Sequence, residues 1–132
     1  MADAAILIRW ESPKTGREQE ALALFGNSLE YYGTLQSEGA IESFEPVMLN
    51  PVGTDLSGFI LIRGSTAKLE ALKRDDQFIE RMVRGQYLIA GFGVVDGYLG
   101  ANLQSRMAKY AQAVAQLGRA PLGGYDGQLR GL

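Results

Sequence analysis

The sequence predicts an α+β fold built from two β-α-β units in tandem, with one more helix behind them. Three observations carry this. The tetrapeptide Ile-Leu-Ile-Arg occurs twice, at 6–9 and at 60–63. Each copy is followed by a long amphipathic stretch and then by another apolar run. The short apolar runs are bounded by glycine, proline and aspartate, which end regular structure.

Each element follows from its own residues. Residues 4–10 read as a strand, with Ile6, Ile8 and Trp10 on one face and Ala5 and Leu7 on the other. Pro13 and Gly16 make 11–16 a turn. A helix is expected over 17–37, where Leu22, Phe25, Leu29 and Tyr32 recur at spacings of three and four. Gly39 is a stop signal. Residues 40–50 form the second strand. Pro46 has no N–H for a ladder, so that strand belongs at an edge or carries a bulge. After a loop over 50–55, the third strand covers 57–63.

Ser65 or Thr66 then caps a second helix. Its apolar side is expected from Leu69, Leu72, Phe78, Ile79, Met82 and Val83, with a kink or break at Asp75-Asp76 and a stop at Gly85. The fourth strand is expected over 87–98. It would place Leu88, Ala90, Phe92 and Val94 on one face and Ile89 and Val95 on the other, with Gly91 and Gly93 marking a bend inside it. A third helix over 101–117 carries Leu103, Met107, Tyr110, Val114 and Leu117 in a 4-3-4-3 seam, suited to one partner helix or a sheet rim. Residues 1–117 thus read as one domain. Residues 118–132 read as a glycine-rich tail, with Leu122, Tyr125 and Leu129 as candidate anchors.

The order β-α-β-β-α-β predicts a ferredoxin-like sandwich: a four-stranded antiparallel sheet, two helices on one face, and the first and third strands as the central pair. An antiparallel sheet with its second face in water shows polar residues at alternate positions. Here Ile60, Leu61, Ile62 and Phe59 are apolar on both faces. A second copy of the chain, packed sheet to sheet, is the expected cover.

Composition removes several chemistries. The 132 residues contain no cysteine, so disulfides, thiolate metal sites and cysteine nucleophiles are excluded. They contain no histidine, which removes the commonest general base, the commonest metal ligand and any Ser-His-Asp triad. A net charge of -2 lacks the basic excess of a nucleic-acid binder. No apolar run approaches the ~20 residues of a membrane span. Met1-Ala2-Asp3-Ala4 lacks the basic start of a signal peptide, so a soluble cytoplasmic protein is the expectation.

The element order, the twin apolar strands and the stretch Arg74-Asp75-Asp76-Gln77-Phe78 resemble the dimeric α+β-barrel superfamily over about residues 4–100. The last stretch is similar to the acidic-aromatic break in the second helix of small YCII-like members. The resemblance implies two ferredoxin-like subunits joined through their sheets, with ligands held in the barrel. It also implies a range of activities, including cofactor-independent monooxygenases, heme-degrading enzymes and lactone isomerases. Without histidine, the histidine-ligated heme and histidine-aspartate pairs of some members do not carry over.

Several local patterns have a bland and a sharp reading. Gly91-Phe92-Gly93-Val94-Val95-Asp96-Gly97 is one residue too long for GxGxxG and lies in a strand, so it reads as a bent strand. Asp75-Asp76, with Glu70 and Glu80, reads as a solvated helix break and not a metal loop. Arg9 and Arg63 are candidates for an anion site. Being on antiparallel neighbours, they belong at opposite rims, where simple ion pairs suffice. Trp10 and Phe92 line a pocket if the barrel is hollow, with Tyr98 offering a hydroxyl.

The ligand candidates are therefore Arg9, Trp10, Arg63, Phe92 and Tyr98, with no metal and no cofactor. The expected function is a homodimer that binds a small apolar or aromatic molecule in the barrel. The alternatives are a cofactor-independent oxygenase or isomerase, and a structural or assembly subunit without a ligand.

Overall fold

The computed structural model describes residues 2–119. Of the tail expected over 118–132, only its first two residues fall within that range, and the remainder lies outside the described residues. The elements are β1 (Ala4–Trp10), α1 (Glu18–Ser37), β2 (Ser43–Met48), β3 (Gly58–Gly64), α2 (Thr66–Lys73), α3 (Asp76–Leu88), β4 (Gly93–Tyr98) and α4 (Gly100–Arg119). The sheet order is β2-β3-β1-β4 and every pairing is antiparallel. This is the ferredoxin-like arrangement expected from the element order, with the two Ile-Leu-Ile-Arg strands at the centre and Pro46 on an edge strand.

The register sorts the side chains into two faces. Ile6 opposes Ile62, and Ile8 opposes Ile60. These four point toward the helices and are almost completely buried, Ile6 and Ile62 at 0% exposure. Tyr31, Tyr32, Ile41, Leu69, Leu72 and Phe78 complete the core. On the other face stand Leu7, Phe59 and Leu61, all half-buried, with Val95 half exposed beside them. The open face is therefore apolar at its centre, as the double-sided sequence pattern requires.

Several boundaries differ from expectation. The second helix does break at the paired aspartates, giving α2 and α3. Ser65 caps α2, its hydroxyl accepting the Lys68 N–H at 3.2 Å. Gly85, expected to end the helix, lies inside α3. A Cβ there would sit 2.4 Å from the Phe92 ring, so the glycine makes room for that ring instead of stopping the helix.

The fourth strand is correspondingly shorter than 87–98. Tyr87 and Leu88 remain helical, and Gly91 turns the chain at φ +65 before β4 begins at Gly93. The second strand is also shorter than 40–50, covering Ser43–Met48.

The apolar stripes shift as well. Leu22 is 72% exposed, and α1 buries Ala21, Ser28, Tyr31 and Tyr32. Ile79 and Val83 are exposed on α3, while Phe78 and Leu88 face the core. Helix α4 is tied down at its start: Asn102 Nδ2 donates to the Asp3 carbonyl at 2.9 Å and to Thr66 Oγ1 at 3.0 Å. Its seam of Leu103, Met107, Tyr110, Val114 and Leu117 is left 45% to 62% exposed in the subunit.

Candidate ligand-binding site

A cavity of about 410 Å³ lies between the helical layer and the helix-facing side of the sheet. Ile8 and Trp10 of β1 and Ile60 of β3 form its floor. Ala21, Phe25, Ser28 and Tyr32 of α1 form one wall, and Arg81 and Met82 of α3 contribute to another. Ile89 and Phe92, from the end of α3 onward, also line the cavity. The volume falls within the range of ordinary small-molecule pockets, about 300–1,000 Å³, and the lining is mostly apolar with a few polar groups.

Local structure explains each wall. Residues 21, 25, 28 and 32 fall on one stripe of α1, so two hydroxyls enter an otherwise apolar surface. Trp10 meets Phe25 edge to face, with ring centroids 5.6 Å apart. Two loops that contribute to the lining are zipped together by backbone bonds. Glu11 N–H donates to the Ala90 carbonyl, Ala90 N–H to Ser12, and Lys14 N–H to Leu88, at 2.8–2.9 Å. Gly91 is required there twice over: its φ is positive, and a Cβ would collide with the Glu11 side chain.

The charged groups are unequal. Glu11 is half-buried and accepts from Arg9 Nη2 at 3.3 Å. Glu18 is exposed at the start of α1. Arg81 has no carboxylate within ion-pair distance among the described residues. Its guanidinium stacks 4.1 Å from the Tyr31 ring centroid, and Nη1 donates to the Gln77 carbonyl at 3.3 Å. Its Nε is buried and has no hydrogen-bond partner. A buried donor left in that state costs about 1–3 kcal/mol. The Tyr31 hydroxyl in turn donates to Asp75 Oδ2 at 2.6 Å, linking α1 to the α2–α3 break and holding the stack in place.

Burial pushes the Tyr32 hydroxyl well above its ordinary value, and the nearby Arg81 charge only partly offsets this. Tyr31 is raised too, by burial first and then by its bond to Asp75. Both phenols are therefore neutral hydrogen-bonding groups, not bases, near neutral pH. A raised phenol pKa means that the unfolded chain loses the proton first. Stability is thus intact below pH 10 and falls as pH rises beyond it. In urea titrations, Tyr32→Phe should remove a slope of at most about 1.4 kcal/mol per pH unit in that alkaline range.

The five residues singled out from the sequence are not brought into one place. Trp10 and Phe92 both line the cavity. Arg9 and Arg63 lie on the opposite, open face. Arg9 opposes Phe59 and Arg63 opposes Ala5, four rows apart, or about 14 Å along the sheet. Each is held in a rim ion pair, Arg9 with Glu11 and Arg63 with Glu45 at 3.2 Å. Tyr98 stands at the far end of β4, where its hydroxyl accepts from Arg106 Nη2 at 2.6 Å.

Sequence reasoning missed Ser28 and Arg81. A signal was present for Arg81: it falls three residues after Phe78 and next to Met82, on the flank of the buried stripe of α3. No cluster of three or more acidic side chains with metal-binding geometry occurs among the described residues. None of the described helices is long and apolar enough to cross a membrane.

No protein-family model matches the chain. No curated protein matches it in sequence. Solved structures do match in fold. A dimeric protein of unknown function with a ferredoxin-like fold from Bacteroides fragilis aligns with a TM-score of 0.55 at 9% identity, covering 73% of this chain and 95% of its own. A conserved protein from Methanosarcina mazei aligns with a TM-score of 0.54 at 16% identity, covering 75% and 95%. SnoaB, a cofactor-independent oxygenase from Streptomyces nogalater, is more distant, with a TM-score of 0.46 at 12% identity over 76% and 94%. What this chain shares with the first two is the ferredoxin-like α+β fold.

Proposed function

We propose that this protein is a homodimeric α+β-barrel protein that binds a small apolar or aromatic molecule in the cavity between its helices and its sheet. The observation that carries this reading is the cavity itself. About 410 Å³ is walled by Trp10, Phe25, Phe92, Ile8 and Ile60, with Ser28, Tyr32 and Arg81 among its polar groups. It is a half-open cleft lined mainly by aliphatic and aromatic side chains, the kind of concave apolar surface that small molecules occupy.

The dimer part rests on the apolar open face, and the Asp75 break remains the feature that favours YCII-like relatives. A cytoplasmic location belongs to the same reading. Trp10 and Phe92 are assigned to ligand contact. Arg9, Arg63 and Tyr98, already paired and outside the cavity, are not.

Calorimetric titration with 2-naphthalenemethanol, a neutral aromatic probe, tests the cavity. Saturable uptake of one molecule per chain is expected. Ala21→Phe places a ring in the cavity and should weaken uptake by about tenfold or more, as lost apolar contact requires. A wild-type chain that takes up no probe, or a folded Ala21→Phe that binds it equally well, would rule out the cavity as the site.

A further inference from the structure

We infer that the natural ligand of this cavity carries a neutral accepting oxygen, a ketone, quinone or ester carbonyl, on its apolar body, and that the Ser28 and Tyr32 hydroxyls of α1 donate to it. The inference rests on the cavity reading above and adds the chemical class of the ligand. Ser28 and Tyr32 both line the cavity. They lie four residues apart on α1, so they are neighbours on one face, with Cβ atoms about 5–6 Å apart. Both are more than nine-tenths buried, Ser28 at 8% exposure and Tyr32 at 1%.

Neither hydroxyl has a hydrogen-bond partner among the described residues. A helical serine or threonine can fall back on the carbonyl one turn earlier. Thr34 does so, donating to the Glu30 carbonyl at 3.1 Å, and Ser28 does not. Nor are the two oxygens sealed in. Among the described residues, the buried side-chain polar atom with neither a partner nor surface of its own is Arg81 Nε. The Ser28 and Tyr32 oxygens therefore keep surface, and the space their residues line is the cavity. Buried polar groups are nearly always hydrogen-bonded, so two free hydroxyls on one apolar wall mark where the polar group of a ligand sits.

The wall selects a neutral acceptor. Burial holds the proton on the Tyr32 phenol well above its ordinary range, so the group remains a donor at neutral pH. A carbonyl oxygen has two lone pairs and no proton of its own, and so can take either donor or both. Arg81, the cationic residue of the lining, is turned to the Tyr31 ring and the Gln77 carbonyl. The carboxylates of Glu11 and Glu18, on the same lining, disfavour a negative ligand.

The test compares two probes of one shape, 2-acetylnaphthalene and 2-isopropenylnaphthalene, by equilibrium dialysis at neutral pH. They differ by a carbonyl oxygen in place of a methylene group. Wild-type protein should bind the ketone about fivefold tighter or more, although the hydrocarbon is the more apolar. Ser28→Ala and Tyr32→Phe keep the shape of the wall and should each cut that ratio by about three- to tenfold, with hydrocarbon affinity held within about twofold. In the double variant the preference should reverse, because the carbonyl then loses its water without gaining a partner. Infrared spectroscopy of the isotope-labelled ketone gives a direct reading. Its carbonyl stretch should fall below the position in hexane when bound to wild type, and return toward it in the double variant.

Equal binding of the two probes by wild-type protein, or a preference for the hydrocarbon, overturns the carbonyl assignment and leaves the cavity reading standing. A ketone preference unchanged in the folded double variant, or a bound carbonyl that vibrates as it does in hexane, removes Ser28 and Tyr32 from the role. Binding of neither probe overturns the assignment, and the cavity reading with it if 2-naphthalenemethanol is also refused.

Discussion

Gly58→Ala should lower the unfolding free energy by about 2–3 kcal/mol, the cost of overfilling a tight core position. Gly58 opens β3 opposite Trp10 and Met48. A Cβ built there lies 2.7 Å from the Val47 carbonyl oxygen and 2.7 Å from Trp10 Cζ2. The indole is held edge-on by Phe25, and the Val47 carbonyl belongs to the paired strand and has nowhere to go. Relief requires the β2–β3 pairing to open or Trp10 to swing into the cavity.

Gly26→Ala is the control. It sits mid-helix in α1 with nothing within 4 Å of its would-be Cβ, and it should gain about 0.5–1 kcal/mol. Urea unfolding followed by the fluorescence of Trp10, the single tryptophan, measures both. A Gly58→Ala protein as stable as wild type would show that β2 does not approach β3 as closely as described.

Leu61→Glu should convert the proposed dimer to monomer while leaving the fold intact. Leu61 lies at the centre of the open face, between Leu7 on β1 and Glu45 on β2 in the register. In a two-fold dimer the substitution acts twice, placing two unpaired carboxylates in one buried interface. Burying one such charge costs about 3–5 kcal/mol, so the dissociation constant should rise by at least about 1,000-fold.

The isolated subunit tolerates the change, because this face is already half exposed in it. Val83→Glu, exposed on α3 on the helical side, should leave assembly unaffected. Sedimentation velocity at micromolar concentration reads both. A wild-type chain that sediments as a monomer, or a Leu61→Glu chain that remains dimeric, would show that the open face is covered by something other than a second copy.

The failures of sequence reading share a cause with its successes. Pro46 marked an edge strand because a missing N–H is a property of the residue wherever it goes. Asp75-Asp76 marked a helix break for a similarly local reason. Gly85 misled because glycine is a local stop signal that tertiary contact can override, while Gly91 does bend the chain, but ahead of the fourth strand and not inside it. Gly85 stays helical since the Phe92 ring occupies the space above it, and Gly91, not Gly85, makes the turn.

The pair Arg9 and Arg63 attracted attention through repetition, yet antiparallel pairing separates them by four rows. Arg81 attracted none, since one arginine on an amphipathic helix is ordinary. What distinguishes it is an unpaired Nε, which depends on every neighbour at once.

Residue spacing, breakers and the two apolar strands were enough to determine the element order, the sheet topology and the need for a cover on the open face. Those follow from short-range periodicity and from the demand that apolar surface be buried. The cavity was decided only in three dimensions. It arises where residues 8–12, 21–32, 57–60 and 81–92 converge, and its size is the volume their side chains fail to fill. Neither that shortfall nor the missing partner of Arg81 is a property of any one segment, so no local pattern could encode it.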